Sequence, residues 1–197
     1  MEKVALRKSI ITHLKYQDRK EKALKDKALL DDLLASSAYQ KADTIATYLA
    51  FDFEYNTELL IKQAQKDGKT ILVPKTHPHG KMIFCLYDVD NLVKTSFGLW
   101  EPAGDQAVDK SKIDLIHVPG VGFNPDGFRI GYGAGYYDRY LADYKGKTIS
   151  TIYECQKAEF QPDSHDVAVM EVFSRLKNVI KESPVTIFLL ALTTLVL

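Results

Sequence analysis

Apolar positions along the chain alternate between a helical period and short continuous runs, which divides the chain into helices and strands. Residues 3–16 mix basic and apolar positions and suit a short helix. Asp18, with Glu21 three residues later, makes a capping-box-like start for a second helix over about 18–36. Along it Ala23, Leu24, Ala28, Leu30, Leu33 and Leu34 recur at near-helical spacing. Thr44–Leu49 is short and β-prone. Asn56 or Thr57 then caps a helix through about Asp67, with Gly68 as its stop. Strands are expected at Thr70–Val73, ended by Pro74, and at Met82–Tyr87, Ile113–Val118 and Thr148–Tyr153. A final helix is expected over Glu171–Lys181.

Strands alternating with helices predict an α/β fold: a single-domain, open, mostly parallel sheet flanked by helices, Rossmann-like. Ligands in such sheets bind beyond the carboxyl ends of the strands. The domain is expected to span residues 1–182. After Ser183 the run from Pro184 to Leu197, PVTIFLLALTTLVL, carries no charge. It is shorter than the roughly 20 residues of a membrane span. A buried terminal element, the start of an unfinished membrane helix and an accidental extension are all open readings. Membrane contact is expected only if this tail is a truncated span.

The bulk numbers bound the function loosely. The 197 residues suit one domain with a sizeable core. Lys+Arg and Asp+Glu both total 26, so net charge gives no argument for nucleic acid or a membrane surface. Cys85 and Cys155 lie in strand-like runs and read as buried thiols of a reducing, cytoplasmic compartment. The opening MEKVALRKSI has no apolar stretch of a secretory signal.

The chemistry concentrates in Arg129–Tyr140, R-I-G-Y-G-A-G-Y-Y-D-R-Y. Gly131, Gly133 and Gly135 free the backbone for positive φ and let N–H groups converge on an oxygen-rich ligand. The residues after them read as the first turns of a helix, so the loop is a candidate phosphate site. The spacing is neither a Walker A motif nor G-x-G-x-x-G; a tight structural turn is the alternative. Arg129 adds a fork of donors suited to phosphate. Asp138 either favours the helix dipole or holds Mg²⁺ against bound phosphates.

Other candidates are more ambiguous. Lys3 and Arg7 share one face of the first helix, as a solvated basic face or as a triphosphate clamp. Glu54 lies just past a strand among Phe51, Phe53 and Tyr55, so it is either solvated or part of a pocket for a flat ligand. Trp100 reads as core or as a stacking platform. His165-Asp166 is a turn or a second metal carboxylate. His77 and His79 flank Pro78 without a third ligand and read as exposed turn residues. No nucleophile constellation is visible, so an enzyme here would rely on positioning and charge neutralisation.

From about Lys3 to Val172 the chain resembles the 5-formyltetrahydrofolate cyclo-ligases. The most specific stretch is P-G-V-G-F-N-P-D-G-F-R-I-G-Y-G-A-G-Y-Y-D-R-Y, Pro119–Tyr140. The N-terminal K-x-x-x-R, Y-L-A-F-D-F-E around Glu54, Glu101-Pro102 and His165-Asp166 support it. The resemblance implies ATP-dependent closure of 5-formyltetrahydrofolate to 5,10-methenyltetrahydrofolate through a phosphorylated formyl group. It further implies that Lys3, Arg7 and the stretch Arg129, Ile130, Gly131, Tyr132, Gly133, Ala134, Gly135, Tyr136 and Tyr137 bind ATP. Asp138 and Asp166 would hold Mg²⁺. Leu49, Glu54 and Trp100 would meet the folate, and Arg129 and Tyr132 would serve catalysis, with Tyr132 between the ligands. Relatives often carry glycine or lysine where this chain has Ala134, which adds no charge. The apolar end after Ser183 has no counterpart in the family pattern. The partners expected are ATP and a reduced folate, without nucleic acid, and the enzyme is expected to be a monomer. Two competing classes remain: a sugar-phosphate isomerase or transferase that needs a general base and no ATP, and a non-catalytic nucleotide- or RNA-binding module.

Overall fold

A computed structural model describes residues 2–175 of the chain. The expected apolar tail at 184–197, the boundary at 182/183 and the end of the expected final helix lie outside the described residues.

Helices α1 (Lys3–Lys15), α2 (Arg19–Ala35) and α3 (Ser37–Lys41) come first. Asp18 caps α2 by accepting 2.9 Å bonds from the amides of Lys20 and Glu21. Ser36 ends α2 and caps α3, whose Tyr39 amide it accepts at 3.1 Å. Then follow β1 (Thr44–Ala46), α4 (Thr57–Lys66), β2 (Thr70–Thr76) and β3 (Met82–Leu86). A hairpin pairs β4 (Leu92–Lys94) with β5 (Trp100–Pro102). After β6 (Leu115–His117), a second hairpin pairs β7 (Gly122–Phe123) with β8 (Arg129–Ile130). Helix α5 (Tyr136–Leu141), β9 (Lys147–Tyr153) and β10 (Glu171–Arg175) complete the described chain.

The main sheet has the order β10-β9-β6-β1-β2-β3 and is parallel except for the edge strand β3. Residues that alternate along each strand divide between two cores, as a sheet covered on both faces requires. Ile45, Ile71, Leu115 and Ile149 pack under Leu33 of α2 and Leu60, Ile61 and Ala64 of α4. Ala46, Leu72, Ile116 and Ile152 face the other way, toward Leu141 of α5. A third cluster packs Ile10 and Leu14 of α1 against Leu29, Tyr55, Val121 and Tyr153. It seats the N-terminal helix beside the second hairpin.

Two expectations about elements need correction. Glu171–Arg175 is not helical: it is a strand, parallel to β9 in the register Glu171↔Ile149. The parallel partner decides a segment whose apolar residues fit either period. Nor does Pro74 end its strand, because β2 continues to Thr76 and pairs Pro74 with Phe84. Tyr87 donates to the Ile71 carbonyl, so by alternation Pro74's missing N–H faces away from β3. On that side the β1 register has already ended at Ala46↔Leu72.

Candidate active site

The strand order reverses at β1, flanked by β2 on one side and β6 on the other. The loops leaving the carboxyl ends of β1 and β6 therefore diverge and open a crevice. The floor of this crevice is a buried polar tie. His117, the last residue of β6, has no solvent exposure. Its Nδ1 lies 3.0 Å from the Thr47 hydroxyl and its Nε2 2.9 Å from the Thr151 hydroxyl. Burial lowers its pKa to about 3, so the ring is neutral, one nitrogen donating and the other accepting. The rings of Tyr48 and Tyr55 pack on it at 5.1 and 5.5 Å.

The loop after β1 returns on itself and delivers Glu54. Its carboxylate accepts the Phe51 amide at 2.8 Å and the Tyr132 hydroxyl at 2.7 Å. Desolvation raises the Glu54 pKa, partly opposed by those two bonds. Tyr153 anchors the loop from below, donating its hydroxyl to Asp26 of α2, with the Glu54 carbonyl 3.2 Å away. Lys22 completes this anchor with a 2.8 Å ion pair to Asp26. An aromatic wall rises beside Glu54. Phe51 stacks on Phe53 at 5.3 Å, and Tyr132 and Phe97 meet Phe51 edge-on or tilted at 5.9 Å.

The β7–β8 hairpin aims the glycine loop. Gly127 takes φ +82 in its turn, where a Cβ would lie 2.5 Å from the Val169 carbonyl. The hairpin is thereby pressed onto segment 167–169. Beyond β8, Gly133 (φ +110) and Gly135 (φ +66) adopt left-handed backbone, whereas Gly131 does not. Arg7 reaches over from α1 and donates Nε to the Gly131 carbonyl at 2.7 Å. Helix α5 has only 6 residues, so any anion here would depend on the loop's own amides and nearby cations more than on a helix dipole.

Arg129, expected to offer a fork of donors to phosphate, points inward and uses two of them within the protein. Its side chain is 3% exposed, and it donates to the Val167 carbonyl at 2.6 Å and to Asp138 at 2.9 Å. Desolvation lowers its pKa, while Asp138 and other nearby acidic groups oppose that shift. Asp138 also accepts the Val167 amide, so Arg129, Asp138 and the residue after Asp166 form one knot. Asp166 in turn accepts Lys3 at 2.8 Å, and Lys3 reaches Asp163 at 2.7 Å. Burial raises the Asp166 pKa, but its bonds to Lys3 and the Asp163 amide outweigh this and leave it lowered. Asp163, His165 and Asp166 bring ligand atoms within 4.8 Å of one another.

Most residues expected at a site converge here: Lys3, Arg7, Glu54, the glycine loop, Asp138 and Asp166. Leu49 is half-buried and packs on the α2/α4 core. Trp100 does not join the aromatic wall through any ring contact. It lies 49% exposed on β5, with Lys94 over its ring at 5.9 Å. Phe97, unmarked in the sequence reading, takes that place. His79 is exposed in a short turn after β2, as expected, whereas His77 beside it is half-buried and stands 3.7 Å from Asp105. Cys85 is buried, and Cys155 is half-buried in a short 3-10 turn rather than in a strand. His117, Tyr153 and Asp26 were also missed, since nothing local in their segments marks them. A cavity of about 920 Å³ opens at the opposite ends of the strands. It is lined by Lys41, Lys110, Lys145 and Lys147, with Asp109, Asp114, Asp143 and Glu171 matching them in charge. It lies away from every converging group described above.

Sheet order, diverging loops and a glycine cradle facing a buried carboxylate define an open α/β enzyme with its site beyond the strand ends. The model of the 5-formyltetrahydrofolate cyclo-ligase family matches residues 1–175, and the chain belongs to that family of enzymes. The 5-formyltetrahydrofolate cyclo-ligase of Mus musculus is 31% identical over 186 residues, covering 86% of this chain and 92% of its own. That of Haemophilus influenzae is 32% identical over 142 residues, covering 68% and 76%. Among solved structures, a 5,10-methenyltetrahydrofolate synthetase from Mycoplasma pneumoniae superposes with a TM-score of 0.72 at 26% identity, covering 88% of this chain and 98% of that one. The Aquifex aeolicus 5,10-methenyltetrahydrofolate synthetase gives 0.77 at 26% identity, covering 88% and 90%.

Proposed function

We propose that this enzyme converts 5-formyltetrahydrofolate to 5,10-methenyltetrahydrofolate in an ATP-dependent reaction that releases ADP and phosphate. The observation that carries this reading is the 2.7 Å bond from Tyr132 to Glu54. It joins the glycine loop to the aromatic pocket, so a polyphosphate on the loop and a flat ring against Phe51 and Phe97 would share one space. Glu54 would accept N–H groups of the pterin. Leu49 would border the same ligand, with Phe97 in the place expected for Trp100. Lys3, Arg7 and the backbone from Arg129 to Tyr137, through Ile130, Gly131, Tyr132, Gly133, Ala134, Gly135 and Tyr136, would surround the phosphates.

The chemistry balances without a protein nucleophile. The formyl oxygen takes the γ-phosphoryl group and ADP leaves; the substrate's N10 then attacks the activated carbon, and phosphate departs with the former formyl oxygen and takes up the proton lost from N10. Such transfer depends on alignment and neutralisation. Arg129 would act by holding Asp138, and Tyr132 by orienting both ligands. Mg²⁺ fits the donor set. Asp138 has one oxygen without a hydrogen-bond partner among the described residues, and Asp166 has one whose only close contact is His165 at 3.8 Å. Both are hard oxygen ligands. The ion would neutralise phosphate charge. The same reading has the enzyme work as a monomer in the cytoplasm; among the described residues no helix is long and apolar enough to cross a membrane. The test is Asp138→Asn. Turnover should fall and the Mg²⁺ needed for half-maximal rate should rise; an unchanged Mg²⁺ dependence would remove Asp138 from the metal site.

A further inference from the structure

We infer that Arg139 is a phosphate-binding residue of this site, contributing positive charge beside the glycine loop. The inference rests on the polyphosphate reading above and extends it to a residue outside Arg129–Tyr137. Four cations surround the glycine loop or its knot, and they are not equivalent. Arg129 is buried against Asp138, and Lys3 is held by Asp163 and Asp166. Arg7 and Arg139 form no ion pair with any described residue; both bond only to backbone carbonyls.

Arg139 occupies a place built for it. Its guanidinium passes between Gly80 and Gly135. A Cβ on Gly80 would stand 1.9 Å from Nη2, and one on Gly135 would stand 3.0 Å from Nη1. Both glycines hold positive φ, at +72 and +66, so no side chain is expected to fill the slot. Nε donates to the Gly80 carbonyl at 3.2 Å and Nη2 donates to the Ala134 carbonyl. A guanidinium has five N–H donors, and the remaining three have no partner among the described residues. Arg7 lies 3.7 Å from where a Gly133 Cβ would be, so two uncompensated guanidinium groups flank alternate glycines of one loop. A neutral donor would serve to clasp two carbonyls. A full charge left unpaired beside an open glycine loop is suited to an anion with several oxygens.

The test compares Arg139→Gln, which keeps an amide donor without charge, Arg139→Met, which keeps only the stem, and Arg139→Lys, which keeps the charge. Affinity for inorganic tripolyphosphate, with and without Mg²⁺, is measured by calorimetry on the full chain, beside KM for MgATP and affinity for 5-formyltetrahydrofolate. The neutral variants should bind tripolyphosphate about tenfold more weakly, as loss of a charge-assisted bond implies. Arg139→Lys should stay within about threefold of the parent, and folate affinity should not move. Unchanged tripolyphosphate binding in a neutral variant, or an equal loss in Arg139→Lys, overturns the inference. So does failure of both neutral variants to fold, which would make Arg139 a structural clasp. If the unmutated enzyme takes up no tripolyphosphate under either condition, the polyphosphate reading itself fails.

Discussion

Glu54 holds two opposing physical demands. Burial disfavours its charge, while the Phe51 amide and Tyr132 hydroxyl favour it. A carboxylate kept in that balance is ready to exchange a protein donor for a ligand donor without new desolvation. Glu54→Ala should therefore weaken folate binding by about 1–3 kcal/mol, roughly five- to 150-fold, and raise KM for folate more than it lowers kcat. Equilibrium binding and steady-state kinetics check this; an unchanged folate affinity would contradict the assignment. His117 makes the pH prediction. Its folded pKa of about 3 lies below its ordinary 6.5, so the unfolded chain binds the extra proton between those values. Its contribution to stability is complete above about pH 6.5 and is lost as pH falls toward 3. His117→Gln removes this dependence, so thermal unfolding of the variant should vary less with pH across that window than that of the parent.

At the scale of elements, signals that are local in sequence were legible and those set by a distant partner were not. The start of α2 needs only Asp18 and two following amides, and it appears where its cap predicts. Asp18→Ala should cost about 1 kcal/mol. That corresponds to a fall of about 2–4 °C in the unfolding midpoint for a chain of this size, with KM values unchanged. A midpoint unaffected within error would show that the cap contributes nothing. The segment Glu171–Arg175 shows the opposite case. Val172 and Phe173 favour a strand locally, but the apolar pattern of so short a segment fits either period, and the β9 ladder, with Phe173 opposite Thr151, settles the matter. The β4–β5 hairpin is similar. Its turn, with Gly98 at φ +94 and Thr95 bonded to the Leu99 carbonyl, brings Phe97 to the site and leaves Trp100 exposed. Nothing short of the turn geometry predicts which aromatic residue reaches the pocket.

At the scale of the molecule, the sheet order places the crevice where β1 meets β6, and everything proposed for function borders it. The glycine loop was legible because its chemistry lies in consecutive residues. The inward turn of Arg129 was not, because it depends on Asp138 and on Val167, which lies 38 residues away. The tie of His117 to Thr47 and Thr151 was equally hidden, since it links β6 to β9 and to the residue just past β1. The described residues therefore unite a carboxylate pocket from the loop after β1, a glycine loop after β8 and cations from α1. The most direct measurement is the absorbance of methenyl product when the enzyme is mixed with 5-formyltetrahydrofolate, with and without MgATP. Product should form only when folate and MgATP are both present, with ADP released in equal amount. A folded enzyme that makes no product with both, or makes it without nucleotide, would contradict the account.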